Sequence, residues 1–139
     1  MRTAARRGIG LPAAALRHAG LVFLAGFVLG TVRTLWLTPA LGERAAELAE
    51  LPVLVLVSWR VARAVVGRLT DPTWPRRMAV GLGALGLLVL AELGVVTLVR
   101  HQSLAAYVAD RDPVAGLAYV AALLAFAAAP VAVGRPGRA

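Results

Sequence analysis

Four apolar runs, each close to twenty residues long, divide this chain. That feature narrows the fold more than any motif does. About 20 apolar residues in helix cross the ~30 Å of hydrocarbon in a bilayer. Backbone N–H and C=O groups find no water there, so a spanning segment must satisfy them internally. Each run exceeds strand length and lacks period-two alternation, which leaves helix. The runs cover about residues 19–37, 46–66, 78–99 and 113–133. The expected fold is all-α: one polytopic transmembrane domain over residues 1–139, with four transmembrane helices in an up-down bundle. Of the 139 residues, 60% are hydrophobic, against about 45–50% in a soluble domain.

Punctuation supports these limits. Thr38-Pro39 ends the first run, and Asp71-Pro72-Thr73-Trp74-Pro75 reads as a turn between the second and third. Asp112-Pro113 opens the fourth, with aspartate as N-cap and proline at the first helical position. Ser103–Asp110 reads as a short interfacial helix, because Leu104, Tyr107 and Val108 fall on one face behind a serine cap. Gly10–Arg17 is a weaker interfacial candidate. The N-terminus partly resembles a signal peptide. Ala19–Leu37 is too long for a signal core and lacks a small-x-small cleavage site after it, so it reads as retained.

All 15 basic residues are arginine and the net charge is +8. Arg2, Arg6, Arg7 and Arg17 precede the first run. Arg60, Arg63, Arg68, Arg76 and Arg77 surround the second connection, and Arg135 and Arg138 close the chain. The opposite flanks hold Arg44, Arg100 and Arg111. Positive charge stays on the cytoplasmic side, which predicts both termini in the cytoplasm. Trp74 and Tyr107 then anchor opposite interfaces, with Trp36 near the outer one. A basic chain can also bind nucleic acid, but these arginines flank apolar runs and form no stripe with interleaved aromatics. The bilayer is the expected partner and nucleic acid is not. The arginine-only, alanine-rich composition fits a GC-rich bacterial genome, so the expected location is a bacterial cytoplasmic (inner) membrane, multi-pass.

Charge inside the spans carries the remaining information. Arg33 lies four residues before the end of the first run, Glu50 a similar depth into the second, and Glu92 eight residues before Arg100. At 1.5 Å per residue these sit roughly 6–12 Å inside the outer boundary. Gly26, Gly30 and Arg33 share one helical face, so Arg33 lies on a packing surface rather than against lipid. Glu43, Glu47, Glu50, Leu54, Ser58 and Val61 share a stripe on the second helix. Gly81, Leu85, Glu92, Val96 and Val99 share one on the third. Intramembrane charges are normally paired and inward. The expected cluster is Arg33 with Glu50, and Glu47 or Glu92 as second carboxylate. Gly26 and Gly30 are expected to let a neighbouring helix close in, with Gly83, Gly86 and Gly94 on small-residue faces used for self-association. Pro52, just after Glu50, reads as a tolerated proline near a helix start.

Other chemistry is missing from the sequence. There is no cysteine, so thiolate metal sites and cysteine nucleophiles are excluded. His18 and His101 fall on opposite flanks, which disfavours a metal or haem site. Gly81-Leu82-Gly83-Ala84-Leu85-Gly86 follows no strand and reads as helix packing rather than a nucleotide fingerprint. No catalytic constellation and no cofactor are expected.

The stretch from Phe23 through Arg63, with Ser103–Leu124 later, resembles small four-helix inner-membrane proteins of bacteria. Gly30–Arg33 and Gly42-Glu43-Arg44 through Glu50-Leu51-Pro52 carry most of that likeness. The resemblance implies a four-helix membrane fold and brings no activity, cofactor or site residues. The expected role is a structural or accessory membrane component that self-associates or joins a membrane protein partner. The alternative is a small transporter or channel using the Arg33/Glu cluster. A fainter echo, Leu24-Ala25 to Arg33 against Leu90-Ala91 to Arg100, is what duplication of a two-helix unit about an axis along the membrane normal would leave.

Overall fold

The computed structural model describes residues 7–134. Arg2, Arg6, Arg135 and Arg138 therefore lie outside the described residues. Those described form helices and no strand: α1 (Leu11–Val32), a π-helical turn (Arg33–Leu37), α2 (Thr38–Leu41), α3 (Glu43–Val66), α4 (Trp74–Gly94), a second π-helical turn (Val95–Val99), α5 (Leu104–Ala109) and α6 (Pro113–Ala132). Three stretches are long and apolar enough to cross a membrane: Leu11–Leu41, Trp74–Val99 and Pro113–Ala132. α3 matches them in length, but Glu43, Arg44, Glu47, Glu50, Arg60 and Arg63 make it less apolar.

The first helix starts eight residues before the expected 19, and Gly10–Arg17 is not a separate interfacial segment. Pro12 occupies the first turn, alanines follow, and nothing interrupts the helix before Ala19. The Leu11–Leu41 stretch has 31 residues, about 46 Å at the α-helical rise. α3 begins one turn before the expected 46. α4 begins four residues before the expected 78, because Trp74 and Pro75 form its first turn rather than the end of the turn before it. α5 and α6 fall close to their expected limits, and the serine and aspartate caps form as read. Ser103 Oγ accepts from the Ala106 N–H at 3.1 Å, and Asp112 Oδ2 from the Ala115 N–H at 2.9 Å. Gly42 makes the tight turn into α3 with φ +85°, a conformation that only glycine adopts without strain.

The four long helices alternate in direction. The start of α1, the end of α3, the start of α4 and the end of α6 share one end. There Ile9 exchanges backbone hydrogen bonds with Arg68 and Thr70, and Arg77 reaches Val131. α1 packs on α3 and α4, and α6 packs on the same two. α3 and α4, consecutive in the chain, therefore sit diagonally, and their connection crosses the bundle end. Short connections alone would have made them neighbours. This order places α1 beside α4, and α3 beside α6, as parallel pairs. A two-fold axis along the membrane normal would have set each of those pairs across the bundle, so the packing does not follow the duplication that the sequence echo implies. Alike features remain. α1 and α4 each run into a five-residue π-helical turn. Thr31 and Thr97 each bond back to the carbonyl four residues earlier.

The core is built from small residues. Ala19, Val22, Ala84, Leu88 and Phe126 form one buried cluster, and Ala14, Val65, Leu69 and Val80 another nearer the arginine-rich end. Gly81 marks the closest approach, since a Cβ there would lie 2.0 Å from the Ala127 carbonyl oxygen of α6. Gly26 and Gly30 face α3, where a Cβ would meet Leu54 and Glu50. Gly83 stays exposed, and a Cβ there would lie 3.4 Å from the Ala15 Cβ of the same chain. A Cβ at Gly86 or Gly94 would meet nothing within 4 Å.

Candidate functional site

The helix ends opposite Arg77 hold six of the seven acidic residues, all but Asp71. Three separate groups of charges occupy this acidic end. The first is the expected one. Arg33 opens the π-helical turn after α1 and turns toward α3, where it meets two carboxylates one helical turn apart. Its Nε lies 2.5 Å from Glu50 Oε2, and its Nη1 donates to Glu47 Oε1 at 3.3 Å. No acceptor lies in line with the Nε–H, so the Glu50 contact is an ion pair rather than an aligned hydrogen bond. The arginine and both glutamates are partly buried, with Glu50 the least exposed of the three.

Glu92 does not join this cluster. Gly81 and Glu92 do share a face of α4, as their spacing requires, but that face meets α6. The Tyr119 hydroxyl of α6 donates to Glu92 Oε2. Above Tyr119 lies Arg111, from the connection between α5 and α6. Its guanidinium carbon is 4.4 Å from the Tyr119 ring centroid and 5.6 Å from that of Tyr107. Arg111 Nη1 donates to the Tyr107 hydroxyl at 2.6 Å. Among the described residues, neither Glu92 nor Arg111 forms an ion pair. Both line a cavity of about 370 Å³ between α4, α5 and α6, whose wall is otherwise mostly apolar. The sequence alone sets Arg111 on the outer flank and Tyr107 as an anchor, and gives Tyr119 no part. The available signal was Tyr107, Arg111 and Tyr119 at intervals of four and eight, together with a lone phenol in an apolar run.

Three further polar residues are buried: His18, Ser58 and Arg77. His18, expected on a flank, is enclosed because α1 begins so early. It stacks on Phe126 at 4.3 Å, and its Nε2 lies 3.2 Å from the Phe126 carbonyl. It thereby joins α1 to α6 across the diagonal. Arg77 donates from Nη1 to the Val131 carbonyl at 2.9 Å, which suits a cation beside a helix C-terminus.

Outside the spans, Arg44 grips Asp112 through both Nε and Nη2, at 2.6 to 3.1 Å. This joins the start of α3 to the start of α6. The bonds from Arg44 and then from the Ala115 N–H hold the Asp112 carboxyl below the ordinary aspartate range. No group of three or more potential metal ligands occurs among the described residues. Comparison with protein-family models, curated proteins and solved structures finds no match to this chain.

Proposed function

We propose that this chain is a small, non-enzymatic integral protein of a bacterial inner membrane, acting as a structural or accessory component. In this reading α3 is a fourth span and both termini are cytoplasmic. The arginine-rich end then faces the cytoplasm and the acidic end faces outward, as the positive-inside rule requires. α3 tolerates its charges because Arg33 of the neighbouring helix pairs with both Glu47 and Glu50 near the end of the span, offsetting one of the two negative charges. Arg60 and Arg63 lie near its other end and extend to the headgroups.

One observation carries the reading: the intramembrane guanidinium is committed to two carboxylates of its own bundle. A charge held in that way sets the register of α1 against α3. Self-association would use the open faces at Gly86 and Gly94, where close backbone approach favours helix pairing in lipid. Native mass measurement in nanodiscs tests this: a defined oligomer is expected, reduced to monomer by Gly86→Leu or Gly94→Leu.

A small transporter or channel is the second reading. It is favoured by the Glu92 cavity rather than by Arg33. Proteoliposome flux of protons or small solutes that disappears in Glu92→Gln would establish it over the first.

A further inference from the structure

The Glu92–Arg111 cavity holds two opposite charges that do not touch. Tyr119 stands between them, its hydroxyl on the carboxylate and its ring face under the guanidinium. Arg111 Nε is buried without a hydrogen-bond partner. Charges at membrane depth are normally paired with each other, with backbone or with ligand. Here Glu92, inside the bundle, has only the Tyr119 hydroxyl, and Arg111, half-buried at the rim, has the Tyr107 hydroxyl and two ring faces but no carboxylate. Asp112, which also lines the cavity, is already taken by Arg44.

The chemistry of an occupant follows from these charges. Glu92 and Arg111 cancel, so an ion of either sign would leave the filled site with a net charge in a low-dielectric region. A neutral apolar molecule would leave both charges as unpaired as before. A zwitterion satisfies both, with its ammonium on Glu92 and its anionic group on Arg111. Val89, Leu93, Val120 and Leu123 supply an apolar wall for its body. At about 370 Å³ the cavity falls at the small end of ligand sites, which run from about 300 to 1,000 Å³.

Depth separates two sources of such a zwitterion. Glu92 and Tyr119 lie about two helical turns inside the bundle end, while Arg111 belongs to the connection at its rim. Glu92 is thus rooted deeper than Arg111, which sets the ammonium end deeper than the anion end. A phospholipid headgroup has the opposite order, with phosphate deep and ammonium toward water. We propose that the cavity binds a small free zwitterion with an apolar body, of the leucine or phenylalanine kind, entering from the acidic end. The site adds to the structural role and does not depend on whether the ligand is carried across.

Calorimetric titration of the protein in phosphatidylglycerol nanodiscs tests this, because that bilayer contains no zwitterion. L-leucine or L-phenylalanine should bind saturably. Leucinamide, which lacks the anion, and N-acetyl-leucine, which lacks the ammonium, should bind at least about tenfold more weakly, since each leaves one buried charge unpaired. Glu92→Gln and Arg111→Gln should each abolish binding, while Glu47→Gln should retain it. The ligand analogues decide on wild-type protein even where a variant fails to fold. Equal affinity for either analogue would overturn the proposal, as would no saturable binding of either amino acid. Binding of dihexanoyl-phosphatidylethanolamine alone would overturn it in favour of a lipid site.

Discussion

Arg33 treats its two carboxylates unequally. Glu50 is nearer, at 2.5 Å against 3.3 Å, and less exposed. Glu50→Gln is therefore expected to destabilise more than Glu47→Gln. Removing one member of a buried pair costs about 3–5 kcal/mol, and partial exposure brings the expectation here to about 1–2 kcal/mol. Arg33→Leu leaves both carboxylates unpaired and should cost more than either substitution, and adding Arg33→Leu to Glu50→Gln should cost no more than Arg33→Leu alone. Thermal unfolding of wild type, Arg33→Leu, Glu50→Gln and the double variant in one detergent gives the coupling. Additive effects would show that the contact holds nothing. Asp112 makes a prediction about pH. Its carboxyl titrates lower in the folded chain than in the unfolded one. Its contribution is complete above the unfolded aspartate value of about 3.9 and disappears as pH falls below it. The wild-type melting temperature should thus fall more steeply than that of Asp112→Asn between pH 5 and pH 3. Parallel curves would assign no stability to the Arg44 bridge.

At the scale of elements, glycines of similar surroundings in the sequence have different duties. Gly81 lies against the Ala127 carbonyl, while Gly86 faces open space. Gly81→Leu is expected to separate α4 from α6 at a cost of at least about 1–3 kcal/mol, the usual range for overpacking. Gly86→Leu should leave the stability of the monomer within about 0.5 kcal/mol. Unfolding of both variants under monomeric conditions checks the contrast. The same comparison shows what could be read beforehand. Helical periodicity put Gly81 with Glu92, and Gly26 with Gly30 and Arg33, and each set does share a face. What periodicity does not carry is which helix a face meets. α4 sits between α1 and α6, so the Glu92 face turns to Tyr119 and away from Arg33. That follows from the ring order of the helices, a tertiary choice made by many small contacts. The early start of α1 is hidden in the sequence for a local reason. Arg17 and His18 look like flanking residues in a hydropathy profile, yet His18 is wholly enclosed by α6 and its neighbours.

For the whole molecule, the count of spans turns on α3. With α3 across the bilayer, its two ends lie on opposite sides. With α3 lying outside the core, the connections at residues 40–42 and 67–73 share a side. The ion pairs favour crossing. Arg33 draws Glu47 and Glu50 level with the end of α1, and the far end of α3 reaches the connection that hydrogen-bonds to Ile9 at the start of α1. An element pinned at both ends to α1, whose 22 residues span about 33 Å at 1.5 Å per residue, runs beside it along its length. The absence of cysteine from the chain gives single-cysteine variants a clean background. In intact spheroplasts, a membrane-impermeant maleimide should label Ala40→Cys and Gln102→Cys without permeabilisation. Thr70→Cys should react only after permeabilisation. Labelling of Ala40→Cys and Thr70→Cys from one side would leave three spans. Labelling of Thr70→Cys alone from outside would keep four and invert the protein, placing the Glu92 cavity toward the cytoplasm.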